Sequence, residues 1–256
     1  MIDLRIDGDV AMIVLNNPDK LNALDERAVR DLDAAYSGAE AAGVRALVLR
    51  GEGRAFCAGR DISGVDPRTD DVAGYLDGLV TPLLQRMAAF PAPTFAAAHG
   101  ACLGVGLGLL IATDVVYVAE NAKIGSPFAA LGATLDSGGH ALFFERLGAH
   151  KTLDLIYTGR LMTGAEAVAS GLFSQTFPAD TVVAETEAAA AKASSGATAA
   201  FVASKQLIAY LRDQRLGLWA SMTTENAAQA ALCDTDDYRE GFAAFQAKRP
   251  PVFHGR

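Results

Sequence analysis

Any chemistry in this chain has to come from a few short segments. The first, Asn17-Pro18-Asp19-Lys20-Leu21-Asn22-Ala23-Leu24, follows an apolar run. The second, Ala55-Phe56-Cys57-Ala58-Gly59-Arg60-Asp61-Ile62, sets a glycine, a cation and a carboxylate side by side. The third, His99-Gly100-Ala101-Cys102-Leu103-Gly104-Val105-Gly106-Leu107-Gly108, is broken by glycines and followed by Asp114. A fourth places Asp136 between Leu135 and Ser137, four residues before His140. Each has a plain structural reading. Gly59 suits a turn, and Asp61 or Asp136 suits the cap of a following helix. Gly104, Gly106 and Gly108 suit close helix packing, and His140 suits a hydrogen-bonded structural role. A carboxylate or an imidazole can equally transfer a proton. The glycine run lacks the strand, the spacing and the later acidic residue of a dinucleotide fingerprint.

These segments are positioned by an alternation of strands and helices. Ile2 to Ile6 and Val10 to Leu15 predict a hairpin about Asp7-Gly8. A helix is expected from Asp25, as cap, to Ala42, ended by Gly43. Arg45 to Leu49 reads as a buried strand, followed by a loop over 51–64 and a helix from about Val72 to Ala89. The cycle repeats with strands at Thr94 to Ala98, Val115 to Ala119, near Ile124 and at Phe173 to Phe177. Helices are expected from about Gly139 and Gly164. After Pro178 only helices are expected, over 181–194, 198–212, 216–232 and 235–247. The pattern predicts an α/β fold with strands buried on both faces.

Composition narrows the function. The chain has 256 residues, 51% hydrophobic and 20% charged, enough for one full globular core. A net charge of −8 argues against nucleic-acid and membrane-surface partners. Met1 to Arg5 lacks the regions of a secretory signal. The apolar stretch 101–113 is too short to span a bilayer and reads as a buried helix. Cys57, Cys102 and Cys233 form no metal-ligand spacing, and their odd number suits reduced thiols in a cytoplasmic protein.

Taken together and in order, the first three segments resemble the enoyl-CoA hydratase/isomerase (crotonase) family. Further matches run along nearly the whole chain: Leu131-Gly132 with Gly138-Gly139, Leu155-Ile156-Tyr157-Thr158-Gly159, Ala165-Glu166-Ala167 with Gly171-Leu172, and Glu240 to Arg249. The resemblance implies a crotonase-like ββα spiral core over 1–195. It also implies a C-terminal helical trimerisation region over 196–256 and a homotrimer or dimer of trimers. The implied substrate is an acyl-CoA thioester. Its enolate oxygen would be held by the backbone N–H groups of Arg60 and Val105, and preorganised donors of this kind commonly contribute about 10²–10³ each in rate. By the same likeness, Lys20, Leu21, Ala23, Ala58, Asp61 and Ile62 line the coenzyme A site, and Lys248 reaches a neighbouring subunit's ligand. No metal or redox cofactor is implied, since coenzyme A arrives with the substrate.

The pattern breaks where hydratases of the family carry two glutamates. Those positions hold Gly108 and Phe128, neither able to transfer a proton. Asp136 stands where some double-bond isomerases of the family carry a single acidic residue. One carboxylate suffices for isomerisation, taking a proton from the α-carbon and returning it two carbons along. Leu135 and Phe128 would raise its pKa. The expectation is an enoyl-CoA isomerase. A hydratase with an atypical residue set, or a non-catalytic acyl-CoA-binding protein, is the alternative.

Overall fold

The computed structural model describes residues 1–65, 68–127, 133–215 and 235–256. It opens with β1 (Ile2–Asp7) and β2 (Val10–Leu15), paired antiparallel with Asp7 opposite Val10. The two-residue turn is Gly8-Asp9, one residue later than expected, because Asp7 still belongs to the strand. Gly8 supplies the positive φ of +56° that such a turn requires. The later strands are β3 (Ala46–Gly51), β4 (Thr94–Ala98), β5 (Ala101–Leu103), β6 (Val115–Ala119), β7 (Lys123–Gly125), β8 (Met162–Thr163) and β9 (Gln175–Phe177).

The helices are α1 (Glu26–Ala41), α2 (Val72–Tyr75), α3 (Thr81–Ala89), α4 (Val105–Ile111), α5 (Gly139–Thr158), α6 (Gly164–Ala169), α7 (Val182–Ser194), α8 (Thr198–Gln214) and α9 (Asp236–Gln246). Capping explains the limits of α1: the Asp25 carboxylate accepts the Ala28 N–H at 2.8 Å, and Gly43 follows the helix at φ +67°. Helix α2 runs through a π-helical stretch, Leu76–Val80, into α3, so the single helix expected over 72–89 carries a local widening.

A six-stranded sheet has the order β1-β2-β3-β4-β6-β9, parallel from β2 onward, and β5-β7-β8 form a second, smaller sheet. The large sheet is covered on both faces. Leu47, Leu49, Ala96, Ala98, Val116 and Val118 join the main core with Leu32 and Tyr36 of α1, Met87 of α3 and Leu107 of α4. Ala46, Val48 and Phe95 meet Ala190 of α7 on the other face. This two-sided burial is why β3 and β4 read as unbroken apolar runs. Each buried leucine contributes about 1.5–3 kcal/mol by area.

Two expectations are corrected. The stretch 101–113 is not one helix. Gly104, at φ 53° and ψ −122°, breaks it into β5 and α4. The strand expected over Phe173 to Phe177 keeps only its last three residues. Helices α7, α8 and α9 fall within two residues of expectation, while 216–232, with Trp219, lies outside the described residues. Arg45 ties the C-terminal segment to the body, donating to Phe253 O at 3.0 Å, Gly196 O at 2.6 Å and Thr198 Oγ1 at 3.2 Å. Among the described residues, no helix is long and apolar enough to cross a membrane.

Candidate functional site

Three loops converge at the ends of β2, β3 and β4. The first turns sharply after Pro18–Lys20, with Leu21 at φ 52° and Asn22 at φ 57°. Asparagine tolerates this left-handed conformation better than most residues. Asn22 is fully buried. Its Oδ1 accepts the Asn17 N–H at 2.8 Å, and its Nδ2 donates to Glu52 O at 2.9 Å and Ala55 O at 2.8 Å. One side chain therefore satisfies three backbone groups and joins the first loop to the second. The sequence alone assigns Asn22 no role; a left-handed turn after a proline-led segment is the signal that points to it.

Main-chain bonds continue the joint. Ala58 N–H donates to Leu21 O at 2.9 Å, Leu24 N–H to Gly59 O at 2.8 Å and Asp61 N–H to Leu24 O at 2.9 Å. This is a parallel bridge between Leu24 and Arg60. In such a bridge Leu24 bonds the residues flanking Arg60, so the N–H of Arg60 itself faces away from Leu24. The second loop pairs with the third in the same manner: Cys57 N–H donates to Ala101 O at 2.9 Å and Leu103 N–H to Cys57 O at 3.0 Å.

The glycines let these loops touch. A Cβ on Gly59, which has φ +103°, would lie 3.0 Å from Leu103 O and 3.8 Å from Gly104 Cα. A Cβ on Gly106 would strike Cys57, 2.8 Å from its Cβ. Arg60 and Val105, the residues after Gly59 and Gly104, thus start from adjoining points. Val105 is the first residue of α4, where an N–H has no intrahelical acceptor. Among the described residues neither Arg60 nor Val105 has an acceptor for its backbone N–H. Cys57 and Cys102 are buried free thiols, and burial pushes Cys57 up to about 12 and Cys102 well above its ordinary value.

The Arg60 side chain turns the other way. It makes two 2.7 Å hydrogen bonds to Asp70 and lies 4.1 Å above the centre of the Tyr75 ring. Tyr75 is buried, and its hydroxyl donates to Leu24 O at 3.3 Å. Asp70 and Tyr75 went unread in the sequence because nothing local marks a pair formed across ten residues.

Asp136 reaches the same neighbourhood. Burial pushes the Tyr75 hydroxyl pKa up; Arg60 opposes this, and Cys57 and Asp136 add to it. The Asp136 carboxylate accepts from Ser137 Oγ at 2.9 Å. It caps no helix: the residue before α5 is Gly138, which has no side-chain cap bond, and only the Asp136 carbonyl receives the Gly139 N–H, at 2.9 Å. Burial raises the Asp136 carboxyl above the ordinary aspartate range, while the Ser137 hydroxyl and His140 draw it back. Leu135 is buried beside it, whereas Phe128, its other expected apolar neighbour, lies outside the described residues.

The expected coenzyme A residues divide. Lys20, Ala23 and Asp61 line a cleft of about 390 Å³ together with Asn22 and Arg27. Lys20 Nζ stands 2.6 Å from Asp61, whose carboxyl is held at about 2 by Lys20 and by two bonds from Ser63. Asp61 thus orders its own loop through Ser63 as well as pairing with the lysine. Leu21 and Ala58 are partly buried and Ile62 is exposed, and none of the three lines that cleft. Asp136, Arg60 and Val105 do not line the cleft. Lys248 is exposed at the far end of the chain, at φ 53°, and among the described residues no bond brings it to these loops.

Comparison with known proteins identifies the fold and the family. The crystal structure of enoyl-CoA hydratase from Bacillus anthracis superposes with a TM-score of 0.90 at 26% identity, covering 100% of this chain and 99% of that one. The fold is that of the crotonases. The family model for enoyl-CoA hydratase/isomerase matches residues 5–256, and the chain belongs to that family. The Rhizobium meliloti (strain 1021) protein named probable enoyl-CoA hydratase is 37% identical over 250 residues, covering 97% of this chain and 96% of its own. The 2,3-dehydroadipyl-CoA hydratase of Escherichia coli (strain K12) is 32% identical over 251 residues, with 96% of each chain covered.

Proposed function

We propose that this member of the enoyl-CoA hydratase/isomerase family moves a double bond within an enoyl-CoA thioester, with Asp136 as its single acid-base residue. The N–H groups of Arg60 and Val105 hold the thioester oxygen. Asp136 takes a proton from the α-carbon, the negative charge spreads to that oxygen as a dienolate, and the same carboxyl returns the proton two carbons along. Lys20, Leu21, Ala23, Ala58, Asp61 and Ile62 receive the coenzyme A portion, and Lys248 serves the site of a neighbouring subunit in a homotrimer or dimer of trimers. The reaction calls on no group beyond the substrate's own coenzyme A.

The observation that carries this reading is the state of Asp136: half-buried, raised in pKa by that burial, its carboxylate bonded among the described residues to Ser137 and committed to no helix cap. A second reading, hydration, draws support from the names of the relatives. Gly108 weighs against it, because hydration uses a second proton-transferring group and glycine has none. Deuterium uptake from heavy water, followed by mass spectrometry at the α- and γ-carbons of a 3-enoyl-CoA, tests the choice. Double-bond migration is expected, with uptake at both carbons growing over repeated turnovers as the Asp136 carboxyl exchanges its proton with solvent. Efficient addition of water to a 2-enoyl-CoA, with no exchange at the γ-carbon, would overturn the isomerase reading.

A further inference from the structure

Gly108 does more than omit a carboxylate. A Cβ built on it would lie 2.5 Å from Ser137 Cβ, 3.2 Å from Ser137 O and 3.3 Å from Ser137 Oγ. The space a side chain at 108 would fill is already taken by Ser137. Ser137 holds this place at φ +52°, a left-handed conformation that serine seldom adopts and that costs roughly 1 kcal/mol or more. From there its hydroxyl has one acceptor, Asp136 Oδ1, at 2.9 Å.

We propose that Ser137 is the positioning residue of the Asp136 carboxylate, and that the bare Cα of Gly108 provides the room it needs. The turn carrying the carboxylate rests on α4 one helical turn beyond Val105, so the base is referenced to the helix that begins with a proposed oxyanion donor. A side chain at 108 and the seryl wedge exclude each other sterically. With Ser137 in this place, position 108 has room for no side chain. The inference rests on the reading of Asp136 as the proton carrier, and it adds the residue that orients that carrier.

The groups facing Asp136 are few. Among the described residues, His140, in the first turn of α5, and Tyr75, at the end of α2, are the titratable ones. Helix α4, Val105–Ile111, contributes none. His140 Nε2 is engaged at 3.4 Å with Thr134 Oγ1. Among the described residues the seryl hydroxyl is therefore the one direct hydrogen-bond donor to this carboxylate, and a donor to the charged form favours that form.

The test separates packing from hydrogen bonding. Ser137→Gly accepts the left-handed backbone but removes both Cβ and hydroxyl. Ser137→Gly combined with Gly108→Ala returns a methyl group to the vacated space from the opposite side, without the hydroxyl. Carboxyl NMR of protein labelled at the aspartate Cγ follows Asp136 directly, its resonance assigned by its loss in Asp136→Asn. Both variants should titrate Asp136 at higher pH than the parent. Both should also lower kcat for 3-enoyl-CoA isomerisation about tenfold while KM changes little. The double variant should regain the melting temperature that Ser137→Gly loses, but not the rate.

An Asp136 titration unchanged in both variants would overturn the proposal, and so would a double variant that recovers the parental rate. Undiminished isomerisation in Asp136→Asn would sink the functional reading instead. In that event the titration alone still decides whether Ser137 holds the carboxylate.

Discussion

Arg60 Nη1 and Nη2 each stand 2.7 Å from an oxygen of Asp70, so one guanidinium grips one carboxylate with both terminal nitrogens. The pair is mostly buried, and it fastens the loop whose backbone carries a proposed oxyanion donor to the segment leading into α2. Asp70 is lowered in pKa by its bonds to Arg60, so the pair's contribution is present above the ordinary carboxylate range and lost as pH falls through the depressed value. Arg60→Met keeps the stem over Tyr75 and leaves Asp70 unpaired. It should lower stability at neutral pH in urea unfolding. The difference from the parent should shrink in acid, and a pH-independent difference would show that packing on Tyr75, not the ion pair, is what was lost.

For Asp136 the sign is reversed. Burial raises its folded pKa, so its contribution to stability is present below the ordinary aspartate pKa and is lost as pH rises through the raised value. Asp136→Asn removes that cost. Melting curves should show the variant more stable than the parent at neutral pH and level with it below the ordinary aspartate pKa. Isomerisation should fall by about 10²–10⁴ in the same protein. Loss of activity together with loss of stability would point to a structural role.

Placing a glutamate at position 108 does not rebuild a hydratase. Its Cβ would meet Ser137 at 2.5 Å, so the turn bearing Asp136 must move. Gly108→Glu should cost about 1–3 kcal/mol as overpacking. It should reduce isomerisation and leave hydration of a 2-enoyl-CoA near background. A spectrophotometric hydration assay that found rapid turnover would show that the turn yields easily.

Asn22→Ala probes the joint between the first two loops. It strips three hydrogen bonds and leaves the carbonyls of Glu52 and Ala55 without that donor. A loss of about 2–4 kcal/mol is expected from buried groups left unsatisfied. Calorimetry should also show weaker binding of a coenzyme A thioester, because Lys20 and Ala23 lie on the released loop.

Assembly has its own signature. Phe144 and Tyr157 on α5, and Phe201 and Ile208 on α8, are 56%, 73%, 41% and 67% exposed, more apolar surface than one chain covers by itself. Light scattering should give the mass of three or six chains. A monodisperse monomer at micromolar concentration is the result that rejects this.

The sequence by itself determined the elements and the family. Alternation and apolar runs are local, so β1 to β4 and α1 could be read directly, and Asp25 and Gly43 marked the ends of α1. The ordered glycine segments carried the family likeness, and with it Arg60, Val105 and Asp136 as candidates. What only the tertiary structure decided are relations between residues far apart in the chain. Gly104 could be read as part of a helix until β5 paired with β7 and drew it into a turn. Asp136 could be read as a cap until α5 proved to start from Gly138. Gly108 was only an absence until Ser137, twenty-nine residues later in the chain, came to rest on it. Steric exclusion and hydrogen bonding act over a few ångströms, so which residues share them is set by how the chain packs and not by their spacing along it.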